Sequence, residues 1–477
     1  MIPPPGWFRH RRARSPAEAA LAGKAMRRFG TAFFVLALMI GAFGFIRTDI
    51  HRIYLPTGTG ITAKQVCSLH FVTGMSPERA RALYVDPLLG AAAGLVSADV
   101  REEEVRSGFL GLLYRQRAVY REGIGCTLIH SGRDFDEDLA LPMGREFEPM
   151  TLDTAHRDVT FRTAALKAAI DTAFAEPGHG SRNTLAVVVL HRGKLVAERY
   201  GEGVTRATPL HGWSMAKSAV ATLAGTMVQR GEIRLDASAI RDASVIAEEP
   251  RKGEITLEHL LRMRAGLRLD ETQSGRDPNS KMLFTESDMA GWAARQPLVH
   301  PPGEHWEYMS GQTVLATRAL QNALPGEGLA ADLGAVRERV FEPLEMYSAV
   351  FETDEAGTLQ GSSYLYAAAQ DWARLAQLYV DDGMAGDTRV LPADWAETVS
   401  RTAAGVREKA YGLGFWLGHP SDDAPRGAYY MSGFQGQVAY VFPEQELVVV
   451  RLGATNHVAS GAHRFAADVA AALTPDM

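Results

Sequence analysis

The chain has 477 residues, 46% of them hydrophobic, enough to bury a large core and more than one domain usually spans, which predicts one large unit plus an extension. Its 50 basic and 56 acidic residues give a formal net charge of −6 with both signs mixed along the chain, so bulk electrostatics do not suggest a nucleic-acid partner.

The N-terminus departs from this average. From Phe29 to Ile46 the chain is apolar and uncharged, long enough to cross a bilayer if tilted or helped by its flanks. Arg9, Arg11, Arg12, Arg14, Lys24, Arg27 and Arg28 precede it against the single acid Glu18, an asymmetry that predicts a basic cytoplasmic tail over 1–28, a transmembrane anchor over 29–46 and everything beyond outside the cytoplasm. A buried core helix would not explain such one-sided charge. Ala42-Phe43-Gly44 loosely fits a small-x-small cleavage site, so a cleaved signal segment and a secreted protein stay open beside the inner-membrane, periplasm-facing reading. The only cysteines, Cys67 and Cys126, lie beyond this segment, where the compartment would be oxidising. A disulfide between them is expected; two buried thiols are the alternative, and their spacing fits no zinc motif.

Residues 47–157 form an extension in which short helical patterns such as Ser76–Tyr84 alternate with polar turns, and no chemistry is assigned to it. A helix is predicted over Val159–Ala175, where Phe161, Ala165, Leu166, Ala169, Ile170 and Phe174 recur at helical spacing before Pro177-Gly178. The β-rich runs Leu185–Leu190 and Leu195–Tyr200 read as a hairpin around His191-Arg192-Gly193-Lys194. Gln437–Phe442 and Leu447–Leu452 form a second strand pair near the C-terminus, followed by a helical pattern over His463–Leu473. Strand pairs at both ends with helices between predict one antiparallel sheet assembled from distant sequence, with terminal helices packed on it.

Between the strand pairs lies His211-Gly212-Trp213-Ser214-Met215-Ala216-Lys217, leading into an apolar helical run over Ser218–Arg230 that Gly231 ends. Ser214 and Lys217, three residues apart, share one face of the first turn. A serine hydroxyl is a weak nucleophile until a neighbour takes its proton, and a desolvated lysine can be neutral enough to do so. Alone, S-x-x-K is weak, because a capping serine with a lysine one turn on is common. The G-x-S-x-G elbow is one glycine short here, and Thr208–His211 is too short and broken for the parallel strand it needs.

Further landmarks follow in order: Gly231-Glu232-Ile233-Arg234-Leu235-Asp236; Ile255–Leu261 with Ala265-Gly266-Leu267; Pro302-Gly303-Glu304 with Tyr308-Met309-Ser310; Phe341–Met346; and Asp371–Leu375. On these the chain, over about residues 158–475, resembles the serine β-lactamase and penicillin-binding protein superfamily, and within it the class C-like branch of family VIII esterases and 6-aminohexanoate-dimer hydrolases. The resemblance implies an α+β, β-lactamase/transpeptidase-like fold over 158–477, an antiparallel sheet flanked by terminal helices plus a mainly helical subdomain. It implies an acyl-enzyme serine hydrolase with Ser214 as nucleophile, Lys217 as base and Tyr308 as proton shuttle. The oxyanion hole would come from the N–H groups of Ser214 and Gln437.

Two departures bear on substrate. The strand that usually carries K-T-G has Phe434-Gln435-Gly436 as its expected equivalent, with no cation, and the second motif ends in Ser310 instead of asparagine. A missing lysine removes a carboxylate handle of roughly 1.5–3 kcal/mol, which argues against efficient β-lactam turnover. Tyr411, Trp416, Tyr429 and Tyr430 are candidate pocket walls, and a small linear amide or ester is the expected substrate. No H-E-x-x-H or clustered His/Asp set calls for a metal, and no cofactor is implied. Alternatives are a catalytically silent periplasmic binding or scaffold protein, which would not need serine, lysine and tyrosine together, and a true β-lactamase or DD-peptidase.

Overall fold

A computed structural model of the protein describes residues 50–131, 135–142, 144–272, 275, 277–402, 411–418 and 427–474. The apolar segment 29–46 and its basic flank therefore lie outside the described residues, among which no helix is long and apolar enough to cross a membrane. The chain divides after Leu55. Of the first unit only residues 50–55 are described; the second runs from Pro56 onward and holds every feature discussed below.

The extension has a regular structure that its sequence concealed. Helical turns over residues 55–95 lead into a four-stranded antiparallel meander of β1 (Val96–Val100), β2 (Glu104–Phe109), β3 (Leu113–Arg121) and β4 (Gly125–Ile129). Strands β1 to β3 are half exposed and carry Asp99, Glu104, Arg106, Arg115 and Arg117, so their polar faces read as loop in isolation. In the Ser76–Tyr84 pattern a short helix over Pro77–Ala80 is capped by Ser76, whose side chain accepts from the Arg79 N–H.

The principal sheet has six antiparallel strands in the order β12-β13-β14-β15-β5-β6. It joins the expected hairpin, β5 (Thr184–His191) and β6 (Lys194–Tyr200), to the C-terminal pair, β14 (Gln437–Phe442) and β15 (Leu447–Gly453). The junction sets Val188 opposite Val450 and Val189 opposite Val449, and β13 (Tyr429–Gly433) and β12 (Trp416–Leu417) complete the other edge. Both faces are covered, which is why β5 and β15 read as continuous apolar runs. Val187, Val189, Tyr440 and Val449 pack one way, against Leu166 and Ala169 of the Thr163–Phe174 helix and Phe465 and Val469 of the Ala462–Ala471 helix. Ala186, Val188, Ala439 and Val450 point the other way, into the main core with Trp372.

The helix expected over 159–175 is divided. Thr154–Thr160 and Thr163–Phe174 are separate because Phe161 turns extended, at φ −122° and ψ 147°, and buries its ring between the sheet and the terminal helix. A smaller three-stranded sheet, β7 (Leu210–His211), β9 (Leu365–Ala367) and β8 (Val350–Phe351), pairs His211 with Tyr366 directly before Ser214. The remaining strands, β10 (Met384–Ala385) and β11 (Thr388–Arg389), make an isolated hairpin.

Candidate active site

Ser214 sits in a tight 3-10 turn, Trp213–Met215, feeding the Ala216–Gln229 helix, which places Lys217 one turn deeper. Backbone geometry makes this turn demanding. Trp213 has φ +48°, the left-handed region that a bulky residue adopts only when its surroundings impose it. They do so here: the Trp213 ring stacks on His211 at 4.1 Å between centroids, meets the Phe434 ring edge-on at 5.4 Å, and donates its indole N–H to Gln435 Oε1 at 3.3 Å.

Two glycines let the neighbouring chains approach. A Cβ at Gly212 would lie 2.1 Å from Cζ2 of Trp372, and one at Gly433 would lie 2.2 Å from the Gly212 carbonyl oxygen. The end of β13 is thereby pressed against the backbone that leads into Ser214.

Lys217 is buried, and its ammonium donates to three oxygens: Ser214 Oγ at 2.9 Å, Ser310 Oγ at 3.1 Å and the Ser362 carbonyl at 2.9 Å. Burial brings its pKa down to about 8, with the Glu271 carboxylate pulling the other way. The Tyr308 ring lies beneath the ammonium, 4.9 Å from Nζ to centroid. Burial pushes the Tyr308 phenol well up, Tyr411 and Glu271 add to the rise, and a hydrogen bond with Ser214 opposes it. The phenol is thus a neutral hydroxyl at working pH.

Ser214, Lys217, Tyr308 and Ser310 are brought together. Ser310 is buried as the first residue of the Ser310–Gln321 helix, where it contacts the lysine and does not line an open wall. Phe434 and the Gln435 Oε1 both reach Trp213, while the Gln435 amide nitrogen and the Gly436 carbonyl are engaged on the other side of the turn. Gln435, at φ +59°, donates its amide to the Leu83 carbonyl at 3.2 Å and to Asn456 Oδ1 at 3.1 Å, and both carbonyls of the pair accept from Arg451. The Gln437 side chain is buried and bonded to Gly453 and to the Phe434 carbonyl. The stretch that approaches the Gly212-Trp213 backbone is therefore Ser432–Phe434, half exposed, with Gln437 paired across from Gly433.

The four aromatic candidates divide. Tyr411 and Trp416 pack 5.0 Å apart, join Tyr308 at 5.7 and 5.1 Å, and are flanked by Trp306, which the sequence did not single out. Tyr429 is core, edge-on to Phe415 and Tyr379, and Tyr430 stacks on Tyr440 on the far face of the sheet. The period-2 alternation of β13 separates Tyr429 from Tyr430, so the two could never have shared one wall.

Sequence reasoning also missed His211 and Glu271. His211 is buried and held neutral by its burial; Nε2 donates to the Ser363 carbonyl at 2.8 Å, and its ring stacks on Trp213 and Tyr366. Its place three residues before Ser214 was the one available signal. Glu271 is 57 residues from Ser214 on a loop, and no local pattern marks it. Among the described residues no cluster of His, Cys, Asp and Glu could hold a metal ion.

Residues 169–473 match the family described as Beta-lactamase, most of the chain. The protein belongs to that family. A curated relative, Penicillin-binding protein 4 of Amycolatopsis lactamdurans, is 28% identical over 298 residues, spanning 55% of this chain and 74% of that protein. Among solved structures, a putative 6-aminohexanoate-dimer hydrolase from Bacillus anthracis superposes with a TM-score of 0.52 at 22% identity, covering 69% of this chain and 86% of that one. A putative beta-lactamase from Bacteroides dorei does so at 0.51 and 18% identity, covering 68% and 99%. At these identities the two structures establish likeness of fold: the α+β architecture with its antiparallel sheet.

Proposed function

We propose that the protein is an exported serine hydrolase that cleaves a small linear amide or ester through an acyl-enzyme on Ser214. The observation that carries this reading is the buried Lys217 Nζ, 2.9 Å from Ser214 Oγ and with its pKa lowered to about 8. Near neutral pH an appreciable fraction of the amine is neutral and can take the hydroxyl proton as Oγ attacks the substrate carbonyl. The tetrahedral oxyanion is received by the Ser214 N–H and the Gln437 N–H, at the end of the β13–β14 pairing where Gln437 lies opposite Gly433. Tyr308, a neutral phenol bonded to Ser214, passes a proton to the departing amine or alkoxide. Water then attacks the ester carbonyl, and the same groups return Ser214 to its hydroxyl form.

Trp306, Trp416 and the Tyr308 ring offer a modest aromatic surface beside the nucleophile, suited to an apolar acyl or leaving group. Behind the Phe434-Gln435-Gly436 turn, the Arg451 guanidinium is buried and engaged with the Gln435, Gly436 and Arg182 carbonyls, so it offers no carboxylate handle there. This supports weak use of β-lactams. Export rests on the one-sided charge before the apolar segment and on the Cys67–Cys126 disulfide.

The test has two parts. A fluorophosphonate probe should label the intact protein and fail to label Ser214→Ala; equal labelling of the variant removes Ser214 as nucleophile. On one preparation, kcat/KM for p-nitrophenyl butyrate and a linear aminohexanoyl amide should exceed that for nitrocefin, since a lost charged contact of about 2 kcal/mol corresponds to roughly thirtyfold. The penicillin-binding name of the Amycolatopsis relative favours a second reading, a penicillin-binding protein with slow turnover. A nitrocefin preference, or a stable penicilloyl adduct, would select it.

A further inference from the structure

Glu271 stands at a junction that neither the motifs nor the proposed proton route uses. Its Oε2 accepts the backbone N–H of Ser310 at 2.7 Å. That N–H opens the Ser310–Gln321 helix, whose N-cap Met309 supplies no side-chain cap, so a carboxylate from a distant loop takes the capping place. Ser310 is thus gripped from both sides, with Glu271 on its backbone and the Lys217 ammonium on its hydroxyl at 3.1 Å.

The charges around Lys217 are few. Its three hydrogen-bond acceptors, Ser214 Oγ, Ser310 Oγ and the Ser362 carbonyl, are all neutral. Tyr308, facing it from the segment before the helix, is a neutral phenol, and Tyr411 behind that ring is likewise neutral. Among the described residues Glu271 is the anion whose field reaches Lys217, and the same field bears on Tyr308 and Tyr411. A buried ammonium with only neutral acceptors is costly, and a nearby carboxylate offsets part of that cost.

Resting on the serine-hydrolase reading above, we propose that Glu271 is a positioning residue of the acyl-transfer site. It fixes Ser310 against Lys217 and supplies the negative charge that stabilises the ammonium formed when Ser214 gives up its proton. The balance is simple: the proton leaves Ser214 Oγ for Lys217 Nζ as the Oγ–C bond forms, the charge on nitrogen appears opposite Glu271, and the proton departs with the leaving group. Glu271 touches no substrate and acts through its two neighbours.

The experiment is the pH dependence of kcat/KM for p-nitrophenyl butyrate with the full chain, wild type against Glu271→Gln and Glu271→Ala. Glutamine keeps an acceptor for the Ser310 N–H and loses the charge; alanine loses both. Because the charge holds the proton on Lys217, removing it frees the amine at lower pH, and the acidic limb of the E271Q profile should move down by roughly half a unit to one unit. Its plateau should fall about tenfold, since the ammonium of the transition state is less well stabilised. E271A should show the same limb shift and a lower Tm than E271Q. A merely structural residue would lower Tm or the plateau and leave the limb in place. An acidic limb in E271Q and E271A that coincides with wild type overturns the inference while Ser214-dependent turnover stands. Ester turnover that persists in Ser214→Ala overturns the underlying reading instead.

Discussion

At the scale of single residues, the site depends on backbone that cannot give way. Gly433 lies at φ −136°, an ordinary extended conformation, so its requirement for glycine is steric: a Cβ there would sit 2.2 Å from the Gly212 carbonyl. Gly212 is closely packed in its turn, since a Cβ there would lie 2.1 Å from Cζ2 of Trp372. Gly433→Ala should therefore push the edge of β13 away from Ser214 while the core persists. A misplacement of about 1 Å at such a site costs on the order of a hundredfold. The expected outcome is a kcat/KM for p-nitrophenyl butyrate lower by about that factor with a cooperative thermal transition retained; near-wild-type turnover would show that the β13 edge does not serve the reaction. Trp213, strained at φ +48°, is held by the His211 stack and by Gln435. Gln435, expected to contact substrate, and His211, which no expectation singled out, thus shape the turn that bears Ser214.

Among secondary-structure elements, the extension is fastened to the rest of the unit by a buried polar cluster. Lys64, on the Leu55–Cys67 helix, forms an ion pair with Glu352 next to β8, and both are buried. Ser68 Oγ donates to Glu352 Oε1 at 2.8 Å and the Cys126 N–H of β4 donates to the same oxygen at 2.7 Å, so one carboxylate ties together three segments. Burial drives Lys64 and Glu352 each toward its neutral form, and their mutual attraction resists it. Removing one partner strands the other: Lys64→Met should destabilise by about 3–5 kcal/mol, read as a lower denaturant midpoint. Lys64→Met with Glu352→Gln together should cost less than Lys64→Met alone, because no unpaired charge remains. A double variant less stable than the single would mean that the ion pair itself is not what holds the joint.

For the molecule as a whole, the extension and the family region share one core. Val66, Tyr84, Val105 and Leu128 belong to the same buried cluster as Met215, Leu223 and Trp372. Leu83 gives its carbonyl to both Gln435 and Asn456, the residues that back the turn beside Ser214. Within the extension, Cys67 and Cys126 are disulfide-bonded, 59 residues apart with Cα atoms 6.0 Å apart, joining the Leu55–Cys67 helix to β4. Closing a loop of that length stabilises by roughly 4 kcal/mol in the chain-entropy model. Thiol titration of unreduced, denatured protein should find no free thiol, and Cys67→Ser with Cys126→Ser should lower stability by about that amount. Two free thiols would contradict both the bond and the oxidising compartment proposed from it.

What the sequence alone determined was whatever is written locally or in order along the chain. The four strands at the ends of the family region, the helix after Ser214, the adjacency of Ser214 and Lys217 and the place of Tyr308 all follow from spacing, apolar runs and a set of motifs in sequence. The strands were legible because both of their faces are buried, which leaves continuous apolar runs that need no partner to be recognised. The extension's sheet was not, because β1 to β3 expose a charged face and only tertiary packing covers the other. Side-chain direction was equally beyond local reading. Tyr429 and Tyr430 part to opposite faces, and Gln435 turns inward because Leu83 and Asn456, far off in sequence, offer it hydrogen bonds. Glu271 is the clearest case: its bond to Ser310 exists only because the fold returns a distant loop to a helix start that has no cap of its own. A carboxylate in a loop carries no local mark of such a partner, so that pairing was decided by the tertiary structure.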